Sequence, residues 1–156
     1  MADDLTIVQG TKEEQYRNLL PQIEALLHGE SNIVANMANV CAALKEQFGW
    51  LWVGFYLVDT PEELVLGPFQ GPVACTRIKK GRGVCGTSWA TNSIQIVPDV
   101  HAFPGHIACS SASLSEIVLP WQKNGEILGV LDVDAASYSV FDEVDASYLT
   151  KILALL

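Results

Sequence analysis

Residues 115–134 read SEIVLPWQKNGEILGVLDVD, two apolar runs on either side of the dipeptide Asn124-Gly125. Asn-Gly is strongly preferred in tight hairpin loops, because such loops need a positive φ at both central positions. We therefore predict that Glu116–Trp121 and Ile127–Asp134 form an antiparallel hairpin. This hairpin favours a fold built on a mainly antiparallel sheet.

Three carboxylates lie near the end of this hairpin. Asp132 and Asp134 are two residues apart and therefore share one face of their strand. A two-residue loop sets Glu116 opposite Val133 and away from that face, whereas a three-residue loop with a glycine bulge sets it opposite Asp132. Acids on an apolar strand are costly unless they bind something. If the three acids converge on a shared site, we predict the bulged loop. The alternative to a shared site is that the strands simply end in solvent, where acids are common.

The chain before residue 50 has helical periodicity, and the chain after it has strand periodicity. Lys12–His28 and Asn32–Phe48 are predicted helices, with Pro21 expected to kink the first or divide it. From residue 51 to residue 57 apolar side chains occupy both faces. A strand that is apolar on both faces is covered on both, so it should lie near the centre of the sheet.

The middle of the chain alternates short elements with loops. Predicted strands are Glu63–Leu66, Val73–Ile78 and Ile94–Val97, and a short helix is expected over Val84–Thr91. The long segment Asp99–Ser113 shows no regular periodicity. A loop of that length within a compact domain is usually functional or disordered, and its embedded aromatic residue favours a functional loop.

A last helix is predicted from Asp142 to Leu155, with Ser139 and Asp142 as its capping box. The order of elements is then two helices, five or six strands and a closing helix. This order predicts one α+β domain covering residues 1–156, with a mainly antiparallel sheet.

Composition excludes several classes of function. The net charge is −9, and the nine Lys and Arg residues form no stripe that could follow a phosphate backbone, so we expect no nucleic-acid partner. The first ten residues lack the basic and apolar regions of a signal peptide. No apolar run reaches the ~18 residues of a membrane span, so we expect no membrane partner. These features favour a cytoplasmic protein, in which cysteines serve packing, metal binding or catalysis more often than structural disulfides.

A metal site is not expected. Cys75, Cys85 and Cys109 are widely separated along the chain. Structural zinc sites usually draw ligands from closely spaced pairs, and none occurs here. His101 and His106 could join a thiolate, but their spacing is not diagnostic.

Thiol chemistry is the stronger reading of the cysteines. Cys109 lies in a polar loop and is a plausible exposed nucleophile, while Cys75 lies in a predicted strand. Cys85 is placed at a helix start, where the helix dipole would stabilise its thiolate. The alternative is that all three are small buried residues. Cys41, inside the apolar stripe of the second helix, is expected to be a packing residue.

Trp52 and Tyr56 share one face of the predicted central strand. Such aromatic pairs usually belong to the core; the functional alternative is the wall of a pocket for a small apolar group. The basic cluster Lys79–Arg82 is expected to be a solvated turn.

Three segments together resemble the free methionine-(R)-sulfoxide reductases of the GAF-domain family. They are ACTRIKKGRGVCGTSWAT (74–91), IVPDVHAFPGHIACSSASLSEIVLPW (96–121) and GVLDVDAASYSVFDEVD (129–145). The likeness covers about Trp50 to Tyr148. It implies a single GAF domain in which the N-terminal and C-terminal helices pack on one face of the central sheet.

The resemblance implies a reaction in which thiols reduce free methionine (R)-sulfoxide to methionine without a cofactor. Cys109 would attack the sulfoxide sulfur and become a sulfenic acid. Cys75 would condense with it to a disulfide that thioredoxin reduces. Cys85 matches the family's additional resolving or relay thiol. Ser110 departs from the pattern, since many relatives carry Asp after the nucleophile.

The resemblance also assigns a substrate site. Glu116, Asp132 and Asp134 match the family's substrate-binding carboxylates, and Trp52 and Tyr56 match the aromatic residues around the substrate methyl group. A homodimer through the terminal helices is a further implication. The competing functions are a non-catalytic GAF module that binds a small ligand, and a thiol redox sensor without a substrate.

Overall fold

A computed structural model describes residues 4–107 and 109–156; Ala108, within the predicted functional loop, and residues 1–3 lie outside the described residues. The elements in chain order are α1 (Lys12–Leu27), α2 (Ile33–Phe48), β1 (Trp52–Thr60), β2 (Glu63–Gln70), β3 (Arg77–Lys79), α3 (Gly83–Thr91), β4 (Gln95–Val97), a 3₁₀ turn (Val100–Ala102), β5 (Ser115–Lys123), β6 (Glu126–Ala135) and α4 (Glu143–Leu153). Within the described part of the chain, no helix is long and apolar enough to cross a membrane.

All six strands form one antiparallel sheet in the order β3-β2-β1-β6-β5-β4. The predicted strand after Trp50 is β1, and it has a neighbour on each side. Its two faces are covered as its two-sided apolar sequence requires. The predicted α+β class with a mainly antiparallel sheet is confirmed.

Each face of the sheet carries its own core. Val53 and Phe55 on β1, with Leu131 on β6, pack among residues of α1, α2 and α4. Tyr56 and Val130 face the opposite side, where they pack with Val84, Cys85 and Trp89 of α3. The predicted packing of the terminal helices on one face is therefore confirmed, and the other face is left to α3 and the loops.

Pro21 lies inside α1 and does not divide it. Proline removes one backbone hydrogen bond from a helix interior. Leu19 and Ile23 on either side of it are fully buried against the core, so their packing holds the helix together across the missing bond. The helix begins where predicted, with the Glu14 backbone N–H donating to Thr11 Oγ1 at 3.2 Å.

The predicted strand Val73–Ile78 is wrong in its first half. Only Arg77–Lys79 pairs with β2. The Thr76 carbonyl still accepts from the Leu66 backbone N–H of β2 at 2.9 Å, but residues 72–75 are held by side chains. The Trp52 indole Nε1–H donates to the Pro72 carbonyl at 3.1 Å, and the Tyr56 hydroxyl donates to the Cys75 carbonyl at 2.9 Å.

The capping box of α4 also differs from the prediction. Asp142, and not Ser139, is the N-cap, and its Oδ1 accepts from the Val144 backbone N–H at 2.9 Å. Asp145 supplies the reciprocal bond, accepting from the Asp142 N–H at 2.9 Å. Ser139 has a positive φ of 54°, so the chain turns there before the helix begins.

The β5–β6 hairpin closes with a two-residue turn. Lys123 pairs with Glu126, and Asn124 and Gly125 both have positive φ, 53° and 79°. These angles are those of the tight turn that Asn-Gly favours. The predicted three-residue bulged loop is therefore wrong.

The bulge lies instead inside β6. Gln122 pairs with Ile127, but the next residue of β5, Trp121, pairs with Gly129. Leu128 is thus an extra residue without a partner, and its insertion shifts the register of β6 by one. The shift decides which side chains of β6 face α3.

Candidate active site

The register beyond the bulge brings the three predicted acids onto one face of the sheet. Glu116 pairs with Asp134, and Asp132 lies two residues before Asp134 on the same face. On β1, Trp52 pairs with Asp134 and Gly54 pairs with Asp132. The acids therefore converge below α3 as a shared site requires, although the bulge that aligns them is in β6 and not in the turn.

Burial controls the protonation of this cluster. Glu116 and Asp132 are 5% and 6% exposed, and Asp134 is half-buried. Burial, followed by repulsion from the neighbouring carboxylates, raises the pKa of Glu116 and of Asp134 well above the usual range. Burial also raises the pKa of Asp132, but hydrogen bonding with Glu116 and Cys85 opposes the rise. Hydrogen bonding with Ser113 and Glu116 likewise opposes the rise in the pKa of Asp134, so hydrogen bonds favour the ionised forms of both aspartates against the effect of burial.

One buried carboxylate oxygen in the cluster accepts no hydrogen bond from the described residues. Ser113 Oγ donates to Asp134 Oδ1 at 3.1 Å. Asp132 Oδ1 is buried and has no hydrogen-bond partner among the described residues. An unsatisfied buried oxygen costs about 1–3 kcal/mol. Because Asp132 lines a pocket, a bound donor such as an ammonium group would satisfy it.

A disulfide joins Cys75 to Cys109 at this pocket, with the two Cα atoms 5.5 Å apart. Cys75 lies in the segment held by Trp52 and Tyr56, and Cys109 lies in the loop before β5. Cys109 is exposed and Cys75 is half-buried, so an external thiol can approach the bond. This is the pair that the sequence resemblance implies.

Cys85 also lines the pocket and is a free, buried thiol. Its Sγ and one carboxylate oxygen each from Glu116 and Asp132 all lie within 4.8 Å of one another. Burial, and then the negative charge of these acids, raises the pKa of Cys85 well above its ordinary value. The predicted stabilisation of its thiolate by the start of α3 is wrong, because burial and the neighbouring acids outweigh the helix dipole.

Trp52 and Tyr56 form one wall of the pocket. They are 5% and 2% exposed, and their ring centroids are 5.8 Å apart with an interplanar angle of 24°. Phe69 stacks on the outer side of Trp52, with centroids 5.3 Å apart. The wall is apolar, while the polar ends of both side chains are occupied in holding the Cys75 segment.

Two further residues, which were not predicted from the sequence, contribute to this site. Gly54 lies beneath the Trp52 ring, and a Cβ there would collide with the ring and with the Phe69 side chain. Arg82 is exposed in the predicted solvated turn and also lines the pocket, whereas Lys80 of the same turn lies over the Trp89 ring, 4.8 Å from its centroid. The position of Arg82 directly before the short helix that carries Cys85 was the signal available.

Known proteins are similar to this chain in both sequence and fold. The sequence matches the GAF domain family over residues 32–156. It is 69% identical over 156 residues to GAF domain-containing protein A of Dictyostelium discoideum, covering 100% of this chain and 99% of that protein. It is 47% identical over 146 residues to the free methionine-R-sulfoxide reductase of Escherichia coli K12, covering 93% of this chain and 88% of that enzyme.

A solved structure agrees with the sequence relatives. The crystal structure of free methionine-R-sulfoxide reductase from Neisseria meningitidis, in complex with its substrate, superposes with a TM-score of 0.96. The two chains are 54% identical, and the match covers 99% of this chain and 93% of that one. The protein therefore belongs to the GAF-domain family and, within it, to the free methionine-R-sulfoxide reductases.

Proposed function

We propose that this protein reduces free methionine (R)-sulfoxide to methionine, using Cys109 and Cys75, and that thioredoxin returns the two cysteines to thiols. The observation that carries the proposal is the Cys75–Cys109 disulfide beside a pocket that also contains three buried or half-buried acids and an aromatic wall. The names of the relatives support the substrate. The whole chain, residues 1–156, acts as one catalytic domain in this proposal.

The reaction balances over three steps. The Cys109 thiol attacks the sulfoxide sulfur, oxygen passes to Cys109 as a sulfenic acid, and methionine leaves. The Cys75 thiol then condenses with the sulfenic acid, forming the disulfide and releasing one water. A dithiol reductant such as thioredoxin takes up the disulfide's oxidising equivalents, becomes a disulfide itself and restores both thiols.

The acid cluster has two tasks in this mechanism. A protonated carboxyl group, Glu116 or Asp134, can donate to the sulfoxide oxygen as the sulfur–oxygen bond breaks, because its raised pKa keeps the proton near neutral pH. Asp132, whose ionised form is favoured by hydrogen bonding, accepts a hydrogen bond from the substrate ammonium through Oδ1, which has no partner among the described residues. A peptide-bound methionine lacks that ammonium, which explains a preference for the free amino acid.

The aromatic wall contributes to both binding and turnover. The apolar faces of Trp52 and Tyr56 surround the substrate methyl group. Their hydrogen bonds to the Pro72 and Cys75 carbonyls keep Cys75 within reach of Cys109. The second task is required only after methionine has formed, when the sulfenic acid needs a neighbouring thiol.

Cys75, and not Cys85, is the thiol that condenses first. Cys85 is buried beside the acids and its pKa is raised, so it has little thiolate to offer. The relay role implied for Cys85 requires the pocket to open first. A cytoplasmic location and a homodimer through the terminal helices complete the proposal; Val34 of α2, 59% exposed, is an apolar side chain that such a dimer could bury.

The test is NADPH consumption coupled through thioredoxin and thioredoxin reductase, with each epimer of free methionine sulfoxide. The R epimer should sustain turnover and the S epimer should not. Cys109→Ser should abolish methionine formation. Cys75→Ser should release one methionine per protein and then stop, while Cys41→Ser, in the opposite core, should behave as the parent protein.

Two results would replace the proposal. If fully reduced protein consumes no NADPH with the R epimer but binds methionine, a non-catalytic ligand-binding module is the better description. If the protein binds neither the R epimer nor methionine but forms the Cys75–Cys109 disulfide with peroxide, a redox sensor is the better description. Sustained multiple turnover by Cys75→Ser would overturn the resolving role of Cys75.

A further inference from the structure

Cys85 is the one cysteine beside the acid cluster that the proposed disulfide cycle does not use. Three separate elements bring it to Glu116 and Asp132: α3 carries the thiol, β5 the glutamate and β6 the aspartate. The three side chains are between 4% and 6% exposed. One potential ligand atom from each lies within 4.8 Å of the other two. A thiol and two carboxyl groups thus converge in a buried site.

These donor atoms suit zinc better than a hard cation. Zn²⁺ binds thiolate sulfur at about 2.3 Å and carboxylate oxygen at about 2.0–2.2 Å, with four ligands in a tetrahedron. Tetrahedral ligand atoms are then about 3.6 Å apart, so the three donor atoms need to approach one another by about 1 Å at most. Mg²⁺ and Ca²⁺ prefer six or more oxygen ligands and gain nothing from the thiol.

A second observation indicates that the site accepts a cation. Asp132 Oδ1 is buried and has no hydrogen-bond partner within residues 4–107 and 109–156, and it lines the pocket. A buried carboxylate oxygen without a donor is stabilised by a cation. A water molecule would supply the fourth ligand, and Asp134, half-buried and paired with Glu116 across the strands, can hold it by a hydrogen bond.

We infer that Cys85, Glu116 and Asp132 form a binding site for one Zn²⁺ ion, and that the bound ion excludes the substrate. Binding displaces the proton of the Cys85 thiol and any proton on the two carboxyl groups into solvent, and no electron is transferred. The exclusion of substrate rests on the proposed function, since the metal and the substrate ammonium need the same Asp132 oxygen. The metal site itself does not depend on that function.

The three metal-binding residues are in place while the other two cysteines form a disulfide. Cys75 and Cys109 are joined to each other, and Cys85 remains free. The disulfide form of the protein should therefore bind the metal as well. This form is the one to test, because Cys75 and Cys109 cannot act as competing thiolate ligands in it.

Cobalt reports the ligands directly. We would titrate the disulfide form of the full chain with Co²⁺, which occupies tetrahedral zinc sites and shows a thiolate-to-metal charge-transfer band in the near ultraviolet. One equivalent should bind with that band, and Zn²⁺ but not Mg²⁺ should displace it. Cys85→Ser should lose the band and weaken binding by at least about tenfold. Cys41 is the other free buried cysteine, and Cys41→Ser should keep both the band and the affinity for cobalt.

A second variant protects the test against misfolding. Asp132→Asn keeps the shape of the side chain and should weaken cobalt binding without removing the thiolate band. Absence of the band in the native protein, or an unchanged band in Cys85→Ser, would overturn the inference. If cobalt binds as expected but free methionine does not displace it, the metal site stands and its competition with substrate is wrong.

Discussion

The hydroxyl group of Tyr56 offers a test of how the protein keeps Cys75 close to Cys109. Tyr56→Phe removes the bond to the Cys75 carbonyl, 2.9 Å long, and leaves the ring in the pocket wall. One such hydrogen bond contributes about 0.5–1.5 kcal/mol. If that energy restrains the Cys75 segment, its loss should lower the effective concentration of Cys75 near Cys109 by about 2- to 12-fold.

The consequence is specific to one step of turnover. Methionine release in the first turnover precedes the step that needs Cys75, so its rate should be unchanged. Disulfide formation should be slower by the same factor. Rapid-quench measurement of methionine, together with mass spectrometry of alkylated thiols, separates the two steps.

Tyr138→Phe is the matched control, because Tyr138 is 55% exposed and lies outside the pocket. It should change neither step. Equal slowing of methionine release and disulfide formation by Tyr56→Phe would show that the hydroxyl group acts on the substrate. No change in either step would show that the hydrogen bond does not restrain Cys75, and the reasoning would fail.

Three further outcomes are expected. Since the pKa of Glu116 is raised in the folded protein, the stability that its proton supplies is present at low pH and lost as pH rises through the folded pKa. The melting temperature of Glu116→Gln should therefore exceed that of the native protein by a difference that increases from about pH 5 to about pH 9. A difference that stays constant with pH would contradict this. Asp145 is fully buried, and its Oδ1 accepts from Tyr16 Oη at 2.6 Å while its Oδ2 accepts from Lys12 Nζ at 2.6 Å. Asp145→Ala should therefore lower the free energy of unfolding, measured with denaturant, by about 3 kcal/mol. A loss below about 1 kcal/mol would show that these bonds do not stabilise the fold. Deleting Leu128, the unpaired residue of the bulge, leaves Ile127 opposite Gln122 and Gly129 opposite Trp121, so the acids should stay in register and most of the activity should remain. The deletion should lower the free energy of unfolding by about 1–2 kcal/mol. A folded but inactive deletion protein would refute the register argument.

Most strands of the sheet could be predicted from the sequence because the signals for strands and turns lie in short stretches of the chain. Alternation along β1 and the Asn-Gly turn each depend on a few neighbouring residues. The segment 73–75 was predicted as strand because its composition fits one. It is not paired because Trp52 and Tyr56, some twenty residues earlier in the chain, supply the hydrogen bonds that a neighbouring strand would otherwise provide.

The acid cluster shows where local reasoning ends. The period of a strand placed Asp132 and Asp134 on one face without further information. The position of Glu116 depended on one extra residue in β6, and Leu128 is an ordinary apolar residue that gives no sign of a bulge. The requirement that the acids converge placed the predicted bulge in the turn, with Glu116 opposite Asp132, whereas the bulge is at Leu128 and sets Glu116 opposite Asp134.

Cys85 illustrates a second kind of limit. A helix start favours a thiolate, and this rule needs only the neighbouring sequence. Burial and the acids on β5 and β6 act in the opposite direction and are larger, and both depend on the folded chain. For the same reason, a search for closely spaced metal ligands could not detect a thiol and two carboxyl groups brought together from α3, β5 and β6.

The double use of Trp52 limits how this pocket can be redesigned. Its ring shapes the wall, while its indole N–H fixes the Pro72 carbonyl three residues before Cys75. Trimming the ring to admit a bulkier sulfoxide would also free the chain that carries the second sulfur. An engineer would gain a broader substrate range only together with a new anchor for that chain, for example a polar side chain at a neighbouring position of β1 or β2.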